Sequence, residues 1–132
     1  MKPAQAALAA ELDLKLVDYF RREELTVANA AATAEGTVQV ILEHLERSLL
    51  GSQCLVLGFG RIGKLLCHRL TAMGAHVTLF TTSPNKREDG LRLGADQVVV
   101  SKNADEMAKV ANSLDFILNT VAMPHDLDAF LA

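Results

Sequence analysis

Tryptophan is absent, and five phenylalanines and one tyrosine make aromatics only 5% of this 132-residue chain. A core without large rings has to be filled by aliphatic side chains, and half of the residues are hydrophobic. That balance suits a parallel sheet buried on both faces. Cysteine is scarce, with only Cys54 and Cys67. Two thiols without nearby ligands build neither a disulfide framework nor a metal centre, so both read as small buried hydrophobes and no metal is expected. A reducing cytoplasm is the expected compartment. Excess charge of one sign is also missing: 13 basic residues against 16 acidic ones leave a formal net charge of −3. No global field then draws the chain to nucleic acid or to an anionic membrane, and neither is an expected partner. No apolar run is long enough to span a bilayer. The N-terminal apolar residues are mostly alanine, broken by Glu11 and Asp13, and do not read as a signal peptide.

The chain does carry one glycine-spaced turn in an informative setting. Cys54-Leu55-Val56-Leu57 reads as a buried strand, Gly58-Phe59-Gly60-Arg61-Ile62-Gly63 follows it, and a helical stretch over about 61–73 begins there. In a G-x-G-x-x-G turn between strand and helix, Gly58 permits the tight turn and Gly60 lets backbone approach a pyrophosphate. Gly63 lets the helix pack close to the strand. The helix N-terminus at Arg61, Ile62 and Gly63 offers free N–H groups and a positive dipole end to phosphates. Dinucleotide binding is therefore the leading reading; a glycine turn without a ligand is the alternative.

The pattern on either side supports one domain over 1–132, with a strand-and-helix region at 1–50 and a nucleotide-binding core at 51–132. An Ala-rich helix is predicted over 3–11, with Pro3 near its first turn. Leu14 to Tyr19 alternates apolar and polar residues, as an edge strand does. Thr33 is placed to N-cap a helix over about 34–48, with Val38, Ile41, Leu42 and Leu45 as its apolar stripe. After the glycine helix, strands are predicted at 76–80, 97–100 and 116–121. Helices are predicted from Pro84 to Gly94, over 104–112 and from about 126–131. Strands alternating with helices give right-handed crossovers and a parallel sheet. The expected fold is α/β, a Rossmann-like three-layer sandwich with a parallel sheet of four to five strands. Strand 54–57 is central, with 76–80 and 97–100 on one side and 116–121 on the other. The 14–19 segment is expected to fill the edge beside 116–121; otherwise that edge pairs with a second copy as a homodimer.

The end of the second strand bears on cofactor choice. An NAD site usually carries an acid there to bond the ribose 2′-hydroxyl. Here Thr81, Thr82 and Ser83 stand in its place, with Lys86 and Arg87 one turn later. Hydroxyls and two cations suit a 2′-phosphate, so NADP is favoured over NAD. Ser83 also reads as the N-cap of the helix at Pro84, with the two cations solvated. Arg61 is in reach of a phosphate, or is a solvated first-turn residue. Asn119 and Thr120 end the strand across the switch point, where backbone lines the ribose and nicotinamide side. His44, His68, His76 and His125 have no sequence-local acid or nucleophile, and no catalytic set is visible.

Two family resemblances overlie these elements. Val17-Asp18-Tyr19-Phe20, Arg22-Glu23-Glu24-Leu25, Asn29-Ala30, Thr33-Ala34-Glu35-Gly36 and Leu55 to Arg61 make residues 14–72 resemble the A subunit of bacterial dipicolinate synthase. That resemblance implies a Rossmann domain joined by a helix to an N-terminal domain, and NADPH-dependent reduction of a dihydrodipicolinate-derived substrate. Met73 to Val77, Phe80 to Ser83, Lys86-Arg87-Glu88, Leu93 to Asp96, Asn103 to Met107 and Asp115 to Ala122 carry the second likeness. Through them residues 73–132 resemble the nucleotide-binding domain of cinnamyl-type, zinc-dependent, NADP-linked alcohol dehydrogenases. This second resemblance implies that Ser83 and Lys86 bind the 2′-phosphate. The catalytic parts of both families fall outside these residues. A change of family within one helix points to an engineered chimera, a scaffold with cofactor binding and no stand-alone activity; the alternative is the cofactor part of an NADPH-dependent oxidoreductase.

Overall fold

The computed structural model describes residues 3–110, 112–125 and 128. Its centre is a four-stranded sheet of β1 (Gln53–Leu57), β2 (His76–Thr81), β3 (Gln97–Val100) and β4 (Phe116–Asn119). The order is β3-β2-β1-β4 and every pairing is parallel. This is the predicted strand order; β1, β2 and β3 are buried beyond their first residues and β4, at the edge, is partly buried.

Side-chain alternation divides the core in two. Cys54, Val56, Val77, Leu79 and Val98 point to the face covered by α2 (Glu23–His44), α3 (Arg61–Ala72) and α4 (Arg87–Arg92), where Ala34, Ile41, Leu66, Cys67 and Leu70 meet them. Leu55, Leu57, Phe80 and Val99 point to the other face, against Val110 and the partly buried Met107, Leu114, Ile117 and Val121. That second layer is thinner; its helix α5 runs only from Ala104 to Ala108. The burial of the two cysteines pushes both thiols up to about 12. They are neutral core residues, as expected of small buried hydrophobes.

Two aspartates fix strand register at the end of the sheet away from the glycine turn. Asp115, just before β4, donates its N–H to Gln53 O at 2.8 Å, and its carboxylate accepts from Gln53 N at 2.7 Å. Asp96, just before β3, makes the same reciprocal pair with Val77, at 2.9 and 2.7 Å. Each carboxylate continues the ladder one rung past the strand and satisfies an N–H at a strand start.

The N-terminal third departs from the sequence reading. α1 (Pro3–Glu11) forms as predicted, but Leu14 to Val17 is not a strand and does not pair with β4. Helical turns hold both its ends: Leu14 N bonds back to Ala9 O at 2.9 Å, and Asp18 caps the 3₁₀ turn Tyr19–Arg21 by accepting from Phe20 N at 3.2 Å. Its apolar side chains stay exposed, Val17 at 71%. The next helix also starts earlier than predicted. Alanine is the best helix former, so the small residues at 28–32 continue α2 rather than interrupt it, and Glu23 and Glu24 sit in its first turn. Thr33 is therefore no cap; its hydroxyl donates back to Asn29 O at 2.8 Å.

Smaller corrections follow the same logic. The stretch predicted as one helix over 84–94 is a 3₁₀ turn, Pro84–Lys86, running into α4, and Ser83 makes no side-chain capping bond. Position 111, within the predicted 104–112 helix, lies outside the described residues, as does the 126–131 helix except for Asp128. Among the described residues no helix is long and apolar enough to cross a membrane.

Candidate functional site

The C-terminal ends of β1, β2 and β4 meet at the glycine turn, and the three glycines there have different reasons to be glycine. Gly58 has φ +101°, and a Cβ on it would lie 2.8 Å from both Thr120 Oγ1 and Val121 Cγ2. A Cβ on Gly63 would be driven into the carbonyl oxygen of Gly58. These two let the turn close on itself and on β4. Gly60 differs: a Cβ there would meet nothing within 4 Å. The space beside Gly60 is open to a ligand rather than filled by protein.

Hydrogen bonds lock the turn to its neighbours. Gly58 donates to Phe80 O at 3.0 Å, tying it to β2. Thr120 donates to Leu57 O through its N–H at 3.0 Å and its hydroxyl at 2.8 Å, tying β4 to the end of β1. Beyond these ties, no described residue accepts from the N–H groups of Gly60, Arg61, Ile62 and Gly63; the first bond of the helix start is Lys64 N to Gly60 O at 3.0 Å. α3 has no side-chain cap. Free donors at the positive end of a helix suit an anion.

The turn borders a cavity of about 310 Å³, lined among others by Gly58, Gly60, Thr82, Lys86, Ser101 and Thr120. Of the sequence-predicted residues, the fold thus gathers Gly58, Gly60, Thr82, Lys86 and Thr120 around one space. No described carboxylate pairs with Lys86. Ser83 stands next to Thr82 but outside this lining, and its N–H donates to Thr81 Oγ1 at 3.2 Å. Asn119 is exposed, with its side-chain oxygen accepting from Val121 N at 3.1 Å.

Two predicted cations are already engaged. Arg87 is bound to Glu106, at 2.9 and 2.8 Å, and donates to Val98 O at 2.8 Å. Glu106 also accepts from Val100 N at 3.1 Å and from Asn103 Nδ2 at 3.2 Å. The Val100 N–H, with Arg87 beside it, holds the Glu106 carboxyl below the usual range. Arg87 thereby fastens α4 to β3 and to the start of α5. Arg61 reaches away from the first cavity to Glu23 on α2, with Nε–Oε1 at 3.0 Å and Nη2–Oε2 at 2.6 Å. That pairing holds the Glu23 carboxyl below its ordinary value. A second cavity of about 320 Å³ lies here, between Thr26, Asn29 and Thr33 of α2 and the turn residues Gly60 to Gly63.

Sequence reasoning missed Glu23, Glu106 and Ser101. Ser101 was findable, because it directly follows β3 just as Thr82 follows β2. Glu23 and Glu106 meet their arginines across 38 and 19 residues, and no local spacing marks such a pair. The histidines are dispersed: His44 Nδ1 is 2.9 Å from Val40 O, His76 Nδ1 is 3.6 Å from Asp96, and His125 Nδ1 is 2.7 Å from Met123 O.

Comparison with known proteins places this geometry. The model of the D-isomer specific 2-hydroxyacid dehydrogenase NAD-binding domain matches residues 9–131. The chain belongs to that family. It is 56% identical over 80 residues to the aldehyde reductase YahK of Escherichia coli, covering 61% of this chain and 23% of that protein. It is 34% identical to a probable cinnamyl alcohol dehydrogenase 2 of Picea abies, over 98% of this chain and 38% of the relative. It is 30% identical to the dipicolinate synthase A protein of Bacillus subtilis, over 86% and 37%. The solved structure of that Bacillus subtilis dipicolinate synthase protein superposes with a TM-score of 0.75 at 27% identity, over 92% of this chain and 39% of that one. The CAD of Helicobacter pylori, solved in complex with NADP(H), gives 0.64 at 25% identity, over 77% and 26%. Both resemblances read from the residues hold. The likeness to the Picea protein and that to dipicolinate synthase each extend beyond the helix where the sequence reading divided the two. The chain spans 23% to 38% of the length of these curated relatives.

Two measurements check the site's construction. Gly63→Ala is expected to lower the thermal midpoint strongly, because its methyl meets backbone at Gly58, whereas Gly60→Ala meets no atom and should lower it only by the smaller cost of alanine at an N-cap; circular dichroism melts distinguish them. The Glu106 network has a pH signature. A carboxyl whose folded pKa is depressed contributes stability that is complete above its ordinary pKa and is lost as pH falls toward the folded value. Glu106→Gln is therefore expected to flatten the acid limb of the stability curve, measured by urea unfolding between neutral and acid pH.

Proposed function

We propose that this chain binds NADP(H) at the glycine turn and is the cofactor-binding part of an NADPH-dependent oxidoreductase, without catalysis of its own. The observation that carries the reading is the open side of Gly60 beside the free N–H groups of Gly60 to Gly63. A pyrophosphate is the ligand group that such donors at a helix start suit. Gly58 and Gly63 keep the turn tight, and Arg61 and Ile62 contribute their backbone N–H groups. The nicotinamide of the bound cofactor supplies or accepts hydride; the residues of this chain bind and orient it.

The preference for NADP over NAD rests on the β2 end. Thr81, Thr82 and Ser83 place hydroxyls where an NAD site has an acid, and a carboxylate there would repel a 2′-phosphate. Lys86 is the cation in the same cavity. Arg87, held by Glu106, is assigned a positioning role: it keeps the Pro84–Arg92 segment against β3, so that Lys86 faces the cavity rim. Asn119 and Thr120 border the ribose and nicotinamide side from β4. The CAD complex with NADP(H) agrees with this choice, while the family model's own description names NAD.

The reading assigns substrate chemistry to a separate region, and it is supported by the small share of each relative that this chain matches. A dipicolinate synthase-like or alcohol dehydrogenase-like reduction is the reaction class favoured. The outer edge of β4 has no partner strand among the described residues, so a homodimer formed along it is the association proposed. The cytoplasm is the compartment proposed, in keeping with free, uncharged thiols and a soluble cofactor.

Calorimetric titration with NADP⁺ and NAD⁺ tests the reading. NADP⁺ is expected to bind more tightly, and Lys86→Gln to weaken NADP⁺ by about tenfold while leaving NAD⁺ nearly unchanged, the size of one charge-assisted contact. No heat from either nucleotide would exclude the function. Light scattering at high protein concentration checks the association: twice the 14.2 kDa chain mass is the expected result.

A further inference from the structure

Arg61 is the first residue of α3 and sits among the open N–H groups of the turn, yet its guanidinium is already bidentate on Glu23. We propose that Glu23 is an internal competitor for Arg61: its carboxylate occupies the Nε–Nη2 edge of the guanidinium, the edge that the pyrophosphate of a dinucleotide would engage, so that binding at the glycine turn displaces Glu23 and frees the first turn of α2. The proposal rests on the nucleotide-binding reading above.

Three observations carry it. The first is chemical. A guanidinium edge presents parallel N–H donors that match a carboxylate and a phosphate in the same way, and the Nε–Nη2 edge taken by Glu23 does not hold both. Glu23 thus shows an anion in the position that Arg61 offers to a ligand. The second is cost. Both partners are on the surface, with side chains 52% and 67% exposed, and an exposed pair is a weak one that a doubly charged ligand group can replace. The third is that α2 stays attached when the pair opens. Farther along, Arg69 of α3 donates to Ala31 O at 3.0 Å and to Glu35 at 3.2 Å, and Ala34 is fully buried between the helices. Arg61 holds α2 at its first residue, Glu23.

That end is the part of α2 that matters to the site. Thr26 and Asn29 lie on the helix face that lines the second cavity, opposite Gly60 and Arg61. Immediately before α2 comes the exposed apolar segment through Leu14, Leu16, Val17, Tyr19 and Phe20. Releasing Glu23 would therefore change the hold on the start of α2 and on the segment leading into it. Nucleotide occupancy and the position of the N-terminal segment are linked through one ion pair.

Titration of NADPH, followed by its fluorescence, tests the competition with wild type, Glu23→Gln, Arg61→Lys and the double variant, each checked for folding by its thermal melt. Glu23→Gln keeps the size of the side chain and removes the competing charge; it is expected to tighten NADPH by about two- to fivefold, the range of an exposed ion pair. Arg61→Lys retains the charge but loses the fork, so it should weaken NADPH and reduce the effect of Glu23→Gln. Binding by wild type that Glu23→Gln fails to tighten would overturn the competition and leave the nucleotide reading intact. Equal tightening in the Arg61→Lys background would also overturn it, because the gain would then not depend on the fork that the two anions are said to share. Binding by none of the four would overturn both.

Discussion

Everything in the site depends on how closely the glycine turn closes. The carbonyl of Gly58 lies where a side chain at Gly63 would have to be, so the start of α3 is pressed against the end of β1 with no Cβ between them. Thr120 seals the contact from β4, placing its hydroxyl against the Leu57 carbonyl and beside Gly58. Strand, turn, helix and neighbouring strand are thereby fixed as one rigid corner. Only because Gly58 and Gly63 satisfy these packing demands can Gly60 be left open, and only an open Gly60 brings free backbone donors within reach of a ligand.

The rest of the molecule supports that corner from two directions. The thick apolar layer of α2, α3 and α4 fixes the direction of α3 behind the turn. In front, the Arg87–Glu106 cluster ties β3, α4 and α5 together at the cavity's far rim. The two arginines that the sequence reading put near the phosphates each have a carboxylate partner in the structure. They differ in how firmly they are held. Arg87 adds a backbone carbonyl and a part-buried carboxylate to its partners, while Arg61 holds one exposed side chain.

The parallel sheet was legible in the sequence because burial on both faces leaves unbroken apolar runs, and the glycine spacing placed the cavity between β1, β2 and β4. Segments whose structure depends on distant partners were not legible. Leu14 to Val17 has the alternation of a strand, but alternation describes only the segment; a strand also needs a free edge within reach, and the helical turns at Ala9 and Asp18 hold it elsewhere. Thr33 looks like a cap because threonine caps helices, yet the alanines before it let the helix continue through it. Glu23 and Glu106 had no local signature because each one's role is defined by an arginine that the fold brings to it.

Asp96 and Asp115 give the sheet an asymmetry of a different kind. Each makes a two-way match with a single residue of the adjacent strand, so a pairing shifted by one residue would lose both bonds at once. Alignment of the strands is in this way set in part from the floor of the domain, at the end of the sheet away from the glycine turn. At the opposite rim the strands are tied by backbone and hydroxyl bonds of the turn itself, from Gly58 to Phe80 and from Thr120 to Leu57. The sheet is thus pinned at both ends, by carboxylates at the floor and by the glycine corner at the rim, so that a slip of β1, β2 or β4 has to break bonds at two levels at once.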